Sequence, residues 1–246
     1  MDNNVTRIGL VVPPGNVAME RELQRYLAPG IVMNVNRLSR PTPAVTKESL
    51  LAMIDSVDQA VRSLAMCYPQ PSIIIYGCTS GSFVSGPGKE ADLAARITTG
   101  VGIPAVTTST AVLMGLEALR IKRVFLLTPY VEDVTRHEID LLEYYGYKIE
   151  GVDSFDCADT RDIAKISTFQ VAERMQRHAE TVQNCDGVLI SCTQLLTMDK
   201  IDDIERALGK PIVTSNQSSL WAALKLIDAP AARDAPGRLF DSLRRH

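Results

Sequence analysis

Short runs of aliphatic and β-branched residues alternate with longer stretches whose apolar positions recur every three or four residues. A strand covered on both faces reads as a continuous apolar run and a surface helix as a stripe, so this alternation predicts βα units around a parallel sheet. Residues 7–12 predict the first strand. Residues 17–27 predict a helix with Asn16 as its N-cap and Glu20 and Glu22 near its positive end. Residues 31–38 read as a second strand, and residues 46–66 as one long helix with Leu50, Ile54, Val57, Val61 and Leu64 on one face. Residues 72–76 predict a short buried strand. The small residues 77–82 after it predict a loop whose backbone N–H groups can approach a ligand.

The same pattern occurs twice. Arg7-Ile-Gly-Leu-Val-Val-Pro13 matches Arg123-Val-Phe-Leu-Leu-Thr-Pro129, Ile75-Tyr-Gly-Cys78-Thr79 matches Ile190-Ser-Cys192-Thr193, and Gly102-Ile-Pro-Ala-Val-Thr107 matches Gly209-Lys-Pro-Ile-Val-Thr214, at offsets of 116, 114 (Cys78 to Cys192) and 107 residues. Three pairs in one order at similar offsets indicate an internal duplication. The chain is expected to form two pseudo-symmetric α/β halves, residues 1–108 and 109–214, with the tail 215–246 returning onto the first. Ligands in open α/β sheets sit beyond the carboxyl ends of the strands. Cys78 and Cys192 each lie just past such an end, so both are expected at one cleft between the halves.

Composition narrows the chemistry. The 246 residues carry 26 Lys and Arg against 29 Asp and Glu, a formal net charge of −3, with no basic run. That balance argues against a nucleic-acid or membrane partner and favours a small molecule. No stretch reads as a membrane span or a signal peptide, and a cytoplasmic location is expected. The five cysteines have no metal spacing, and the histidines, His137, His178 and His246, stand apart from them in sequence. No metal site is expected. Residues 81–88 match neither a P-loop nor a dinucleotide fingerprint, so no cofactor is implied. Cys67, Cys157 and Cys185 read as inert thiols. Cys78 and Cys192, each ending a strand and followed by Thr, read as the functional pair.

Around that pair stand residues with two uses each. Asn16, in the turn Val12-Pro13-Pro14-Gly15-Asn16, serves either as a cap or as an amide donor to a carboxylate. Tyr130 occupies the matching turn of the second half, as a half-buried aromatic or as a hydroxyl donor. Arg40, in a Pro-flanked segment after the second strand, is either a surface arginine or the partner of an anionic substrate.

These features resemble a known family. The duplicated halves, the paired Cys-Thr motifs and the Val-Pro-Pro-Gly-Asn turn are similar to the aspartate/glutamate racemase superfamily, and within it to maleate cis-trans isomerases and arylmalonate decarboxylases. The resemblance spans almost the whole chain and is most specific over residues 11–22, 76–83, 103–119, 126–134 and 188–199. It implies two Rossmann-like halves with parallel sheets and an active site in the cleft between them. Decarboxylases of this branch keep the cysteine matching Cys192 and have glycine in place of Cys78, whereas isomerases and racemases keep both. Asn16 and Ser39-Arg40-Pro41 match the isomerases, while residues 195–199 and 238–241 are closer to the decarboxylases. Isomerases carry a carboxylate-binding Asn where this chain has Thr160.

The resemblance thus implies cofactor-independent isomerisation of a small unsaturated dicarboxylate, of the maleate-to-fumarate type. Cys78 and Cys192 would be catalytic, and Pro13, Asn16, Arg40, Thr79, Ser80, Tyr130, Thr160 and Thr193 would bind substrate. A two-thiol racemase, a malonate-type decarboxylase and a non-catalytic metabolite-binding protein are the alternatives. A homodimer is the oligomer expected by analogy.

Overall fold

Eight strands form two parallel sheets of four, and the computed structural model, which describes residues 5–244, gives both sheets the same strand order. In chain order the first half contains β1 (Thr6–Val12), α1 (Ala18–Arg25), β2 (Ile31–Arg37), α2 (Lys47–Ile54), α3 (Val57–Ala65), β3 (Ile73–Tyr76), α4 (Thr79–Phe83), α5 (Glu90–Val101), β4 (Ala105–Thr107) and α6 (Thr108–Ala118). The second contains β5 (Arg123–Tyr130), α7 (Glu132–Tyr144), β6 (Lys148–Cys157), α8 (Thr160–Ile163), α9 (Thr168–Arg177), α10 (Ala179–Gln183), β7 (Gly187–Ile190), α11 (Ile201–Leu208), β8 (Ile212–Thr214) and α12 (Ser215–Leu226). A last helix, α13 (Gly237–Arg244), follows. The sheets run β2-β1-β3-β4 and β6-β5-β7-β8. Each half therefore reverses its winding between its first and third strands, β1 and β3 or β5 and β7. That reversal opens a crevice beyond the strand ends.

One apolar core runs through both halves, from Ile8 and Leu10 on β1 to Phe125 and Leu127 on β5 and Trp221 on α12. Helices α6 and α12 pack on each other between the sheets. Gly115 on α6 permits the approach, since a Cβ there would stand 3.1 Å from Ser218 Oγ and 3.3 Å from Leu239 Cδ2. The tail touches both halves. Ala231 bridges to Leu27 beside α1, and Arg25 pairs with Asp234, while α13 packs on β8 and α11.

Three local expectations differ from the structure. The predicted long helix is two, α2 and α3, because Ser56 Oγ donates to Met53 O at 2.8 Å and accepts Ser39 N–H at 3.0 Å, turning the chain between them. The small residues after β3 form a helical turn, α4, rather than a loop. Tyr130 is the last residue of β5 and is buried, rather than a half-buried residue of a turn. Glu22, on α1, is buried too, with its carboxylate bound to the second half. No helix among the described residues is long and apolar enough to cross a membrane, and His246 lies outside them.

Candidate active site

Beyond the ends of β1, β3, β5 and β7 lies a cavity of about 270 Å³. Its wall includes Pro13, Asn16, Arg40, Cys78, Thr79, Ser80, Tyr130, Thr160, Cys192 and Thr193, all the residues singled out in the sequence. Residues 41–43, Val45, Arg161, Ile163 and Gln194 complete much of the rest. Val45, Ile163 and Gln194 carried no chemical signal in the sequence, apart from the place of Gln194 two residues after Cys192.

Cys78 is the N-cap of α4, and its Sγ accepts the Gly81 N–H at 3.3 Å. Ser80 Oγ lies 3.8 Å from the sulfur. Burial raises the Cys78 thiol above its ordinary range, while the Gly81 N–H, the Arg40 charge and the Ser80 hydroxyl pull it back down. Gly81 is required by space. A Cβ there would stand 2.5 Å from Tyr76 Oη and 3.0 Å from Cys78 Sγ, and Tyr76 is fully buried. Gly81→Ala should therefore push its N–H off the sulfur and lower kcat on the order of a hundredfold, the usual result of misplacing a reacting atom by about an ångström. The check is a paired measurement of kcat and melting temperature; unchanged turnover would show that this N–H has no part in the chemistry.

The symmetry-related Cys192 is held differently. Its φ of 101° lies in a region that favours glycine, a strain of about 1–3 kcal/mol that the surroundings must sustain. Ser215 Oγ accepts its backbone N–H at 3.0 Å, and Gln194 N–H reaches its Sγ at 3.4 Å. Burial pushes the Cys192 thiol up to about 12, against the Tyr130 hydroxyl and the Gln194 N–H, with the charges of Cys78 and Glu138 adding to the rise. Two thiols related by duplication thus stand in unequal surroundings. Cys78 has a cation near it, and Cys192 has acids.

Several side chains expected on substrate are partly committed to joining the halves. Thr79 Oγ1 donates to Ser215 Oγ at 2.9 Å, and Thr193 Oγ1 donates to Gly77 O at 3.3 Å. Each hydroxyl has one proton, so in this arrangement neither donates to a ligand. Asn16 caps α1 by accepting Met19 N–H at 3.0 Å and gives one amide hydrogen to Thr193 Oγ1 at 2.8 Å. Its second amide hydrogen stays available. Thr160 Oγ1 donates to Pro43 O at 3.2 Å, and Val45 N–H to Ala158 O at 2.9 Å, so the segment after β2 is tied across to the second half at the cavity wall. Arg40 belongs to that segment. Its Nε donates to Ser49 Oγ at 2.9 Å and its terminal nitrogen to Ala44 O. Among the described residues no group of three His, Cys, Asp or Glu side chains is placed to hold a metal ion.

Two parallel-sheet halves with cysteines at matching strand ends on one cavity define a cysteine-based enzyme of the aspartate/glutamate racemase superfamily, whose chemistry is cofactor-independent. A family model for arylmalonate decarboxylase matches residues 8–240, and the chain belongs to that family, within the branch that also holds the maleate isomerases. It is 34% identical to an arylmalonate decarboxylase of Bordetella bronchiseptica, over 95% of this chain and 96% of that one. A maleate isomerase of Nocardia farcinica is 29% identical, over 96% and 95%. Among solved structures, a liganded arylmalonate decarboxylase with one glycine replaced by cysteine and one cysteine by serine superposes with a TM-score of 0.86 at 32% identity, covering 96% of this chain and 99% of that one. A Nocardia farcinica maleate cis-trans isomerase, a cysteine-to-serine mutant with a covalently bound succinylcysteine intermediate, gives 0.86 at 25%, covering 98% and 99%.

Proposed function

We propose that this enzyme isomerises a small cis-unsaturated dicarboxylate to its trans form. The observation that carries the reading is the pair of cysteines on one cavity with an arginine beside the first. Cys78 is the nucleophile, because its sulfur has an N–H donor, a hydroxyl neighbour and a nearby cation to favour the thiolate. Its Sγ adds to one olefinic carbon and the π pair moves onto the adjoining carboxylate as an enediolate. The former double bond is then single and rotates. Collapse of the enediolate re-forms the double bond in the trans geometry and expels the Cys78 thiolate. The covalent succinylcysteine held by the Nocardia farcinica isomerase mutant supports an adduct of this kind.

The developing negative charge needs donors placed in advance, each worth on the order of 3 kcal/mol. Asn16 with its second amide hydrogen, Ser80, Tyr130 and the first backbone N–H groups of α4 serve here. Cys192, the weaker acid, keeps its proton near that charge.

A second reading, decarboxylation of a substituted malonate, is favoured by the 34% identity to the Bordetella bronchiseptica enzyme. Proton NMR in heavy water separates the reactions. Maleate should give fumarate with both vinylic hydrogens retained as protium. Inert maleate together with carbon dioxide release from an arylmalonate would replace the isomerase reading with the second one, and deuterium at the α carbon of an amino acid would replace it with racemisation.

A further inference from the structure

Glu138, on α7, is 2% exposed and has no place in the chemistry above. It lies one turn beyond Thr135, whose hydroxyl is 2.8 Å from Thr128 Oγ1 and donates to Tyr130 O at 3.3 Å. Residues three apart share a helix face. Glu138 is therefore held behind the ends of β5 and β7, with Ser191, the residue before Cys192, as its polar neighbour. Glu138 Oε2 and Ser191 Oγ are both buried without a partner at hydrogen-bonding geometry, and among the described residues no cation bears on the carboxyl.

The ionisable groups that sense Glu138 are Cys192, after β7, and Tyr130, at the end of β5; Cys78, at the start of α4, bears on both of these. On α7 itself Glu132, Asp133, Arg136, Asp140 and Glu143 are exposed and His137 Nδ1 is bonded to Asp133 O, while on β5 Arg123 pairs with Asp186. On β6, Lys148 pairs with Glu150, Asp153 pairs with Arg174 and His178, and Asp156 is exposed. Helix α4 brings only the hydroxyls of Thr79, Ser80 and Ser82.

We propose that Glu138 is a positioning residue for the proton of Cys192: its carboxylate, fixed behind the turn after β7, opposes a second negative charge on that sulfur and keeps Cys192 a thiol while Cys78 ionises. The proposal rests on the division of roles between the two thiols given above. The physical cause is like-charge repulsion in a buried, water-poor setting, where Coulomb interactions are weakly screened. Burial lifts the Glu138 carboxyl to about 7, so its charge develops as the pH rises through neutrality. Glu138 is thus charged before Cys78 ionises, and the hold on Cys192 is already in place where Cys78 gains thiolate.

Alkylation of the full-length protein by iodoacetamide, with each cysteine followed by peptide mass spectrometry, tests this without any turnover. Failure of the isomerase reading would leave the measurement intact. In Glu138→Gln, alkylation of Cys192 at pH 8.5 should be about tenfold faster and its pH midpoint about one unit lower. Cys78 should change less than threefold. Glu138→Asp, which keeps the charge, should retain the slow wild-type rate. In the wild-type protein alone, the rate at Cys192 should climb less steeply with pH near 7 than above 8. An unchanged Cys192 rate in Glu138→Gln, or an equal rise at both cysteines, overturns the proposal.

Discussion

Cys78→Ser is expected to lose turnover on the order of a thousandfold or more while the protein stays folded. A serine hydroxyl still fits the N-cap position and accepts the Gly81 N–H, so α4 keeps its start. Its proton is far less acidic than a thiol's, and the nearby Arg40 charge is not enough to ionise it. Cys192→Ser should fail differently: addition at Cys78 remains open, and once the Cys192 thiol is gone protonation of the enediolate carbon from solvent should leave a succinyl adduct on the Cys78 peptide, a mass increase equal to the substrate acid. For the wild-type enzyme, kcat/KM should rise with pH between 7 and 9. The reactive form is the thiolate, and burial sets the Cys78 thiol above its ordinary range, so the thiolate fraction is still climbing there. Full activity in Cys78→Ser, or a flat profile over that interval, would remove Cys78 from the nucleophile's role.

Glu22→Ala should destabilise the fold by about 3 kcal/mol, since it strips the acceptor from several buried donors at once. Glu22 Oε1 accepts Thr197 N–H at 2.5 Å and Met198 N–H at 2.7 Å, and its Oε2 accepts Asn216 Nδ2 at 2.7 Å. One carboxyl from α1 thereby pins the segment that follows Cys192 and Thr193. Urea denaturation gives the free energy directly, and a loss under 1 kcal/mol would contradict this account. The pH dependence has a definite sign. Burial raises Glu22 from 4.5 to about 7 in the folded chain, against three hydrogen bonds that lower it. The folded state therefore holds the proton more tightly than the unfolded one, and this contribution is present below about 4.5 and lost as pH rises through about 7. Glu22→Gln should flatten that part of the curve.

The alternation of buried strands and amphipathic helices, the duplication and the two Cys-Thr motifs are all written along the chain, because each depends on neighbouring residues or on repetition. They were enough to place both sheets and to name ten residues of one cavity wall. What they could not show is that duplication leaves the two thiols unequal. That inequality arises from contacts between residues far apart in sequence: Arg40 near Cys78, Ser215 on the backbone of Cys192, Glu138 behind it. The threonines after each cysteine were expected on substrate, and the structure turns both hydroxyls to joining the halves. Glu22 reads in the sequence only as one of two acids near the positive end of α1, and the fold makes it a buried tie between halves. Local pattern determined which residues lie at the strand ends. Only the packing of one half against the other decided each group's burial and charged neighbours, and that is why two sulfurs at matching strand ends stand in different surroundings.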